Sequence, residues 1–96
     1  MRKSYSKEIM LDAFRQVLHK REHKYIAVKI ETRDVKGHEV IVNPLQNAQQ
    51  KIDYYDRAYT DDLVLKSYDG IKIVDYTWAD SFDEIEKDFG GTNNEN

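Results

Sequence analysis

Apolar residues recur along this chain with two different periods, and each change of period marks the border of an element. From Lys7 to Arg21, the residues Ile9, Met10, Ala13, Phe14, Val17 and Leu18 return at steps of three and four. Lys7, Glu8, Asp12, Arg15, Gln16 and Lys20 take the other side. That pattern predicts an amphipathic helix, capped by Ser4 or Ser6, whose last turn carries His19, Lys20 and Arg21 at the negative end of the helix dipole. The period then drops to two. Ile26, Val28 and Ile30 alternate with Lys29 and Glu31 between Tyr25 and Thr32, Asp34 to Gly37 supplies turn residues, and His38 to Val42 returns with Val40 and Val42 on one face. The stretch predicts a hairpin with Ile26, Val28, Ile30, Val40 and Val42 on the core side.

Asn43-Pro44 has the chemistry of a helix start, an amide acceptor for free N–H groups followed by a residue pre-set for the first turn. Leu45, Ala48, Ile52, Tyr55 and Tyr59 then form a single stripe, ended by Asp61-Asp62. Leu63 to Tyr68 and Ile71 to Trp78 read as a second hairpin around Asp69-Gly70, the pair preferred by a two-residue type I′ turn with Gly70 at positive φ. Its register sets Tyr68 opposite Ile71, which places Leu63, Leu65, Val74, Tyr76 and Trp78 on the core face. A last helix starts at Ser81, with Glu84 at capping-box spacing, buries Phe82, Ile85 and Phe89, and stops at Gly90-Gly91.

The order of elements is therefore α-β-β-α-β-β-α, an α+β domain over residues 1–90 followed by a disordered polar tail over residues 91–96. Short connections favour one four-stranded, mostly antiparallel sheet of two hairpins with helices packed over one face; the strand order stays open. This register turns Tyr25, Ile41, Val64, Tyr68, Ile71 and Ile73 to the far face, which is too apolar to face water comfortably. Either the first helix covers that face or a partner does, and the six residues are the candidate interface.

Composition narrows the chemistry. The 96 residues hold no cysteine, which excludes disulfides, thiolate nucleophiles and iron–sulfur clusters. No apolar run is long enough to cross a membrane and no signal-like block opens the chain, so a cytoplasmic protein is expected. Residues 1–38 carry ten Lys/Arg against five Asp/Glu, a net of +5; residues 39–96 carry five against thirteen, a net of −8. The basic side chains Lys7, Arg15, Lys20, Arg21 and Lys24 make nucleic acid an alternative partner. Gly37, Gly70, Gly90 and Gly91 read as turns or caps, and no phosphate loop or nucleophile elbow is present. His19-Lys20-Arg21-Glu22-His23 spells the H-x-x-E-H of inverted zinc peptidases, with His38 conceivable as a third ligand, but it sits at a helix end and a solvated role is favoured. Asp61, Asp62, Asp80, Asp83, Glu84, Glu86 and Asp88 serve capping and solubility better than catalysis, because most follow one another on a single short helix.

The stretches Asn43 to Leu45, Lys51 to Tyr55, Ala58 to Lys66 and Ala79 to Ile85 resemble small uncharacterised proteins encoded by phages and prophages of low-GC Gram-positive bacteria. The resemblance rests on packing and turn residues over residues 43–89. It implies a small accessory protein and carries over no functional residue. The expectation is a non-enzymatic module without cofactor or metal, acting by protein–protein contact with an unknown partner or with itself as a homodimer. A nucleic-acid-binding accessory protein is the alternative, and a metal-dependent hydrolase a distant third.

Overall fold

A computed structural model describes residues 6–90, so Ser4 and the expected tail over 91–96 lie outside the described residues. Within them run helix α1 (Lys7–Lys20), strands β1 (Tyr25–Thr32) and β2 (Val35–Pro44), a 3-10 turn (Leu45–Asn47) leading into helix α2 (Ala48–Ala58), strand β3 (Ile71–Ala79) and helix α3 (Phe82–Asp88). The α+β class and the first hairpin hold. The sheet has three antiparallel strands in the order β2-β1-β3, and the expected fourth strand and second hairpin do not form.

The missing strand has a local cause. Thr60 organises a tight turn, its Oγ1 accepting from the N–H groups of Asp62 and Val64 at 3.3 and 3.2 Å, and this turn throws Leu63 into the left-handed region at φ 68°. That conformation costs about 1–2 kcal/mol, which complete burial of the Leu63 side chain, worth about 1.5–3 kcal/mol, offsets. Only a short stretch then reaches β3, through Leu65 N–H to Ile71 O and Ile73 N–H to Leu63 O, both at 2.9 Å. The expected pairing of Leu65 with Val74 gives way to one shifted by three residues, in which Val64 bridges Lys72. Asp69-Gly70 is not a type I′ turn, since Gly70 is absent from the positive-φ glycines among the described residues. It belongs to a latch: Arg33 N–H donates to Gly70 O at 2.7 Å, the Arg33 guanidinium pairs with Asp69, and Tyr68 Oη donates to Asp34 at 2.9 Å, tying the β1–β2 turn to this loop. The Asp34 carboxylate raises the Tyr68 pKa, and Asp69 raises that of Arg33.

Two strand irregularities decide which side chains share a face. In β3, Val74 is inserted opposite the Lys29–Ile30 step, so Ile73 pairs with Ile30 while Tyr76 pairs with Val28 and Trp78 with Ile26. A regular strand would send Ile73 and Tyr76 to opposite faces; the bulge sends both to one. In the β1–β2 hairpin the turn is Arg33-Asp34, and the register slips between Glu31 and Thr32, with Gly37 at φ 89°. Val28 then faces Ile41, while Val40 and Val42 join Lys29 and Ala27 on the other side. The expected placement of Val40 and Val42 with Ile26 is thus reversed.

The sheet is covered on both faces, not one. Against Ile26, Val28, Ile30, Ile73 and Tyr76 lie α1, through Met10, Leu11, Phe14 and Val17, and α2, through Ala48, Ile52, Tyr55 and the adjoining Tyr59. Phe14 is fully buried and meets Tyr76 edge-on at 5.8 Å and Tyr55 at 6.5 Å, so one ring joins both helices to the sheet. The α1 stripe is rotated from the expected one: Leu11 is buried and Ile9 exposed. The far face belongs to α3, whose Ile85 packs on Ala27 and Ala79 with Tyr25, Val42 and Phe89 at the margin. Asn43 and Pro44 finish β2 instead of starting α2, which begins after the 3-10 turn without a side-chain cap. Ser6 and Ser81 do cap, accepting from Ile9 and Glu84 N–H at 3.3 and 3.2 Å, and Glu84 Oε1 reaches back to Asp80 N–H at 2.8 Å.

Two outcomes follow. A Cβ at Gly70 would lie 2.5 Å from the Tyr68 ring, so Gly70→Ala should displace the ring, break the Tyr68–Asp34 bond and lower stability. Denaturant melts should show that cost vanish in a Tyr68→Ala background. Separately, burial pushes the Tyr55 phenol well above its ordinary value of 10.0, with Tyr59 and Tyr54 adding to it. The neutral form is favoured in the folded state, so this contribution is complete below about pH 10 and is lost as pH rises from there through the raised folded value. Tyr55→Phe should therefore melt like the parent at neutral pH and lose stability less steeply in alkali.

Candidate functional site

The histidine motif is taken apart by the helix end. Arg21 adopts the left-handed conformation at φ 55° and closes α1 through its N–H to Val17 O at 2.9 Å, so His19 stays on the helix while Glu22 and His23 leave it. The i, i+4 geometry of a helical zinc grip is not made. His23 Nδ1 turns to Asp80 at 3.5 Å and His38 Nε2 to Glu31 at 3.7 Å on the other side of the molecule. Among the described residues no group of three or more His, Cys, Asp or Glu is arranged to hold a metal ion.

The basic candidates divide. Lys7 is structural: its Nζ donates to Asp56 O at 2.9 Å and Tyr59 O at 3.0 Å, beside the Asp56 and Asp61 carboxylates, and caps the end of α2. Its side chain is only 13 % exposed. Arg15, Lys20, Arg21 and Lys24 are exposed. Arg15 and Arg21 line one shallow hollow with Leu18, His19 and Gln49, whereas Lys20 falls on the other flank of α1, in a mostly apolar groove of about 260 Å³ with Ala13, Val17, Glu22, His23 and Trp78. Trp78, expected in the core, is 37 % exposed there.

The six candidate interface residues do not form one face. Ile73 is fully buried, and Ile41 and Ile71 pack against the same α1–α2 core. Val64 bridges Lys72 beside β3, Tyr68 serves the latch, and Tyr25 lies on the α3 side of the sheet. The bulge at Val74 and the β1–β2 register account for this, since each moves apolar residues to the face opposite the one that strict alternation assigns.

A different apolar surface takes their place. On the α3 side Val40 is 42 % and Phe82 63 % exposed. Phe82 stacks on Tyr25 at 5.0 Å, and Val40, Val42, Phe82, Ile85 and Glu86 line a cleft of about 230 Å³. The sequence pattern puts Phe82 in a buried stripe, but α3 has seven residues and Ile85 is its one buried position. The cleft adjoins the open edge of β2. Leu45 N–H donates to Lys24 O at 2.9 Å, one step past the Tyr25–Pro44 pair, so by alternation Asn43, Ile41 and Glu39 turn their backbone groups to β1. Pro44, Val42 and Val40 turn theirs outward. Pro44, which has no N–H, thus falls where an edge strand tolerates it. No described element pairs with this edge, since β2 is the last strand of the sheet.

No family model matches the chain, and no curated protein or solved structure matches it significantly.

The division of the basic residues is measurable. Lys7→Ala should lower stability by about 1.5–3 kcal/mol, because it strips a charged donor from the last carbonyls of α2. Arg15→Ala should stay within about 0.5 kcal/mol of the parent in the same denaturant melts.

Proposed function

We propose that this chain is a small non-enzymatic accessory protein that works by protein–protein contact, through the apolar cleft of Val40, Val42, Phe82 and Ile85 together with the open edge of β2. The observation that carries this reading is Phe82, the most exposed aromatic among the described residues, set beside a half-exposed valine on an edge strand. Exposed aromatics anchor interfaces because they remove much apolar area from water with few torsions to freeze. An adjacent sheet edge offers unpaired N–H and C=O groups, which give such a contact direction. The resemblance to phage and prophage accessory proteins agrees with a role of this kind, inside a host cell and without a catalytic signature.

A second reading draws on Trp78. Its half-exposed indole sits near Lys20 and His23, an aromatic platform beside a basic helix end, which suits single-stranded nucleic acid. Trp78 is the sole tryptophan, so its emission reports directly on this surface. Quenching by an oligonucleotide at low salt, reversed at high salt, would favour the second reading over the first.

The proposed function is tested by placing a photo-crosslinking benzoylphenylalanine at Phe82, with Arg57 on the exposed side of α2 as control. Irradiation in the native host should give discrete protein adducts at Phe82 and none at Arg57. Equal labelling at both positions, or none at Phe82, would overturn the reading.

A further inference from the structure

We infer that the partner at this surface is a second copy of the chain, paired antiparallel along β2 about a two-fold axis at Ile41. The inference rests on the interface reading above and adds the identity of the partner.

The two edges of the sheet are not equivalent. At β3 the first half is already paired with Leu63 and Leu65, and beyond the bulge the Asp75 carboxylate accepts from Tyr76 N–H at 2.8 Å while Thr77 donates to Asp88 at 2.7 Å. That edge is occupied or guarded by carboxylates. β2 is guarded only at its ends, by Lys36 and the Gly37 irregularity at one and by Pro44 at the other, which leaves Val40-Ile41-Val42 open. A head-to-tail contact of β2 with β3 would have to displace those carboxylates. A contact of β2 with β2 displaces nothing and closes on itself as a dimer.

The strand also complements itself with the axis at Ile41. Antiparallel pairing requires outward-turned residues to face outward-turned residues, so Val40 meets Val42 of the other copy and Ile41 meets its own equivalent. Four valines then form one strip on the α3 side, flanked by the two Phe82–Tyr25 stacks. On the other side Glu39 faces Asn43, whose Nδ2 is buried without an acceptor in the single chain and gains one after a turn of its side chain. Pro44 falls opposite His38 at both ends of the pairing, where its missing N–H costs one bond at each margin. Moving the axis to Val40 would instead set Val42 against His38 and break the apolar strip.

The chain has no cysteine, so introduced thiols report the register without interference. Glu39→Cys and Asn43→Cys sit at a non-hydrogen-bonded pair, the closer spacing in an antiparallel ladder and within reach of a disulfide. Mixed under mild oxidation, the two variants should give a linked dimer at least tenfold faster than either alone. Light scattering should show the parent doubling in mass with concentration and Val40→Lys remaining single at unchanged melting temperature, because Val40 is half exposed in the single chain. A parent of single mass throughout, a Val40→Lys variant that still dimerises, or linkage no faster in the mixture would overturn the inference. If the parent stays single while Phe82 still crosslinks to another protein, the interface reading stands and the second copy does not.

Discussion

Ile26, Ala27 and Val28 are all buried, although they point alternately to opposite faces of the sheet. A central strand dry on both sides forces the rest of the architecture, because a three-stranded sheet must then be covered twice by a chain with only enough helix to do it unequally. The larger layer goes where the larger side chains are: Ile26, Val28 and Ile30 face α1 and α2, locked together through the Phe14 ring. The smaller layer faces Ala27 and Ala79, whose short side chains let α3 sit close with the single anchor Ile85. Lys29 helps to hold it, donating to Phe89 O at 3.2 Å. The incomplete cover over Val40 and Val42, and hence the cleft beside Phe82, follows from that inequality.

How far the sequence reveals this depends on whether a feature is local. The stripe Ala48, Ile52, Tyr55 and Tyr59, the shared face of Ile26, Val28 and Ile30 and the serine caps of α1 and α3 are properties of neighbouring residues and form as expected, although the buried Ala27 makes β1 dry on both faces instead of half-buried. What fails is parity. A bulge such as Val74 has no sequence signature beyond one extra residue, yet it reverses the face of every side chain on one side of it. Gly37 does mark the irregularity in β2, but a glycine three residues after Asp34 reads more naturally as part of the turn. Leu63 is harder still, since a buried leucine in the left-handed region exists only because tertiary burial outweighs local strain.

The candidate interface inherited those errors. Counting in twos places Ile41, Ile71 and Ile73 on a far face, and the register returns them to the core. The apolar side chains left exposed on the α3 side are others, Val40 and Phe82, which the sequence pattern assigns to the core. Charge was legible in the aggregate and not in the particular. Arg15, Lys20, Arg21 and Lys24 are all exposed but divide between the two flanks of α1, and Lys7 belongs to the junction of α1 with α2. Hydrogen-bond partners far apart in sequence decide such assignments.

An open strand bearing valines is a hazard as well as an opportunity, and the placement of charge around it distinguishes the two. Unrestricted edge pairing would extend from the hairpin turn to the start of α2 and recruit chains in any register. Here Lys36 and the Gly37 irregularity disrupt one end and Pro44 removes a donor at the other, so the stretch able to pair is short. Beside it, Glu86 borders the cleft, which restricts what can settle on the apolar floor. A strand left open by accident would have no reason to be limited at both ends and apolar only between them. That arrangement limits pairing to a short stretch, as the proposed contact requires.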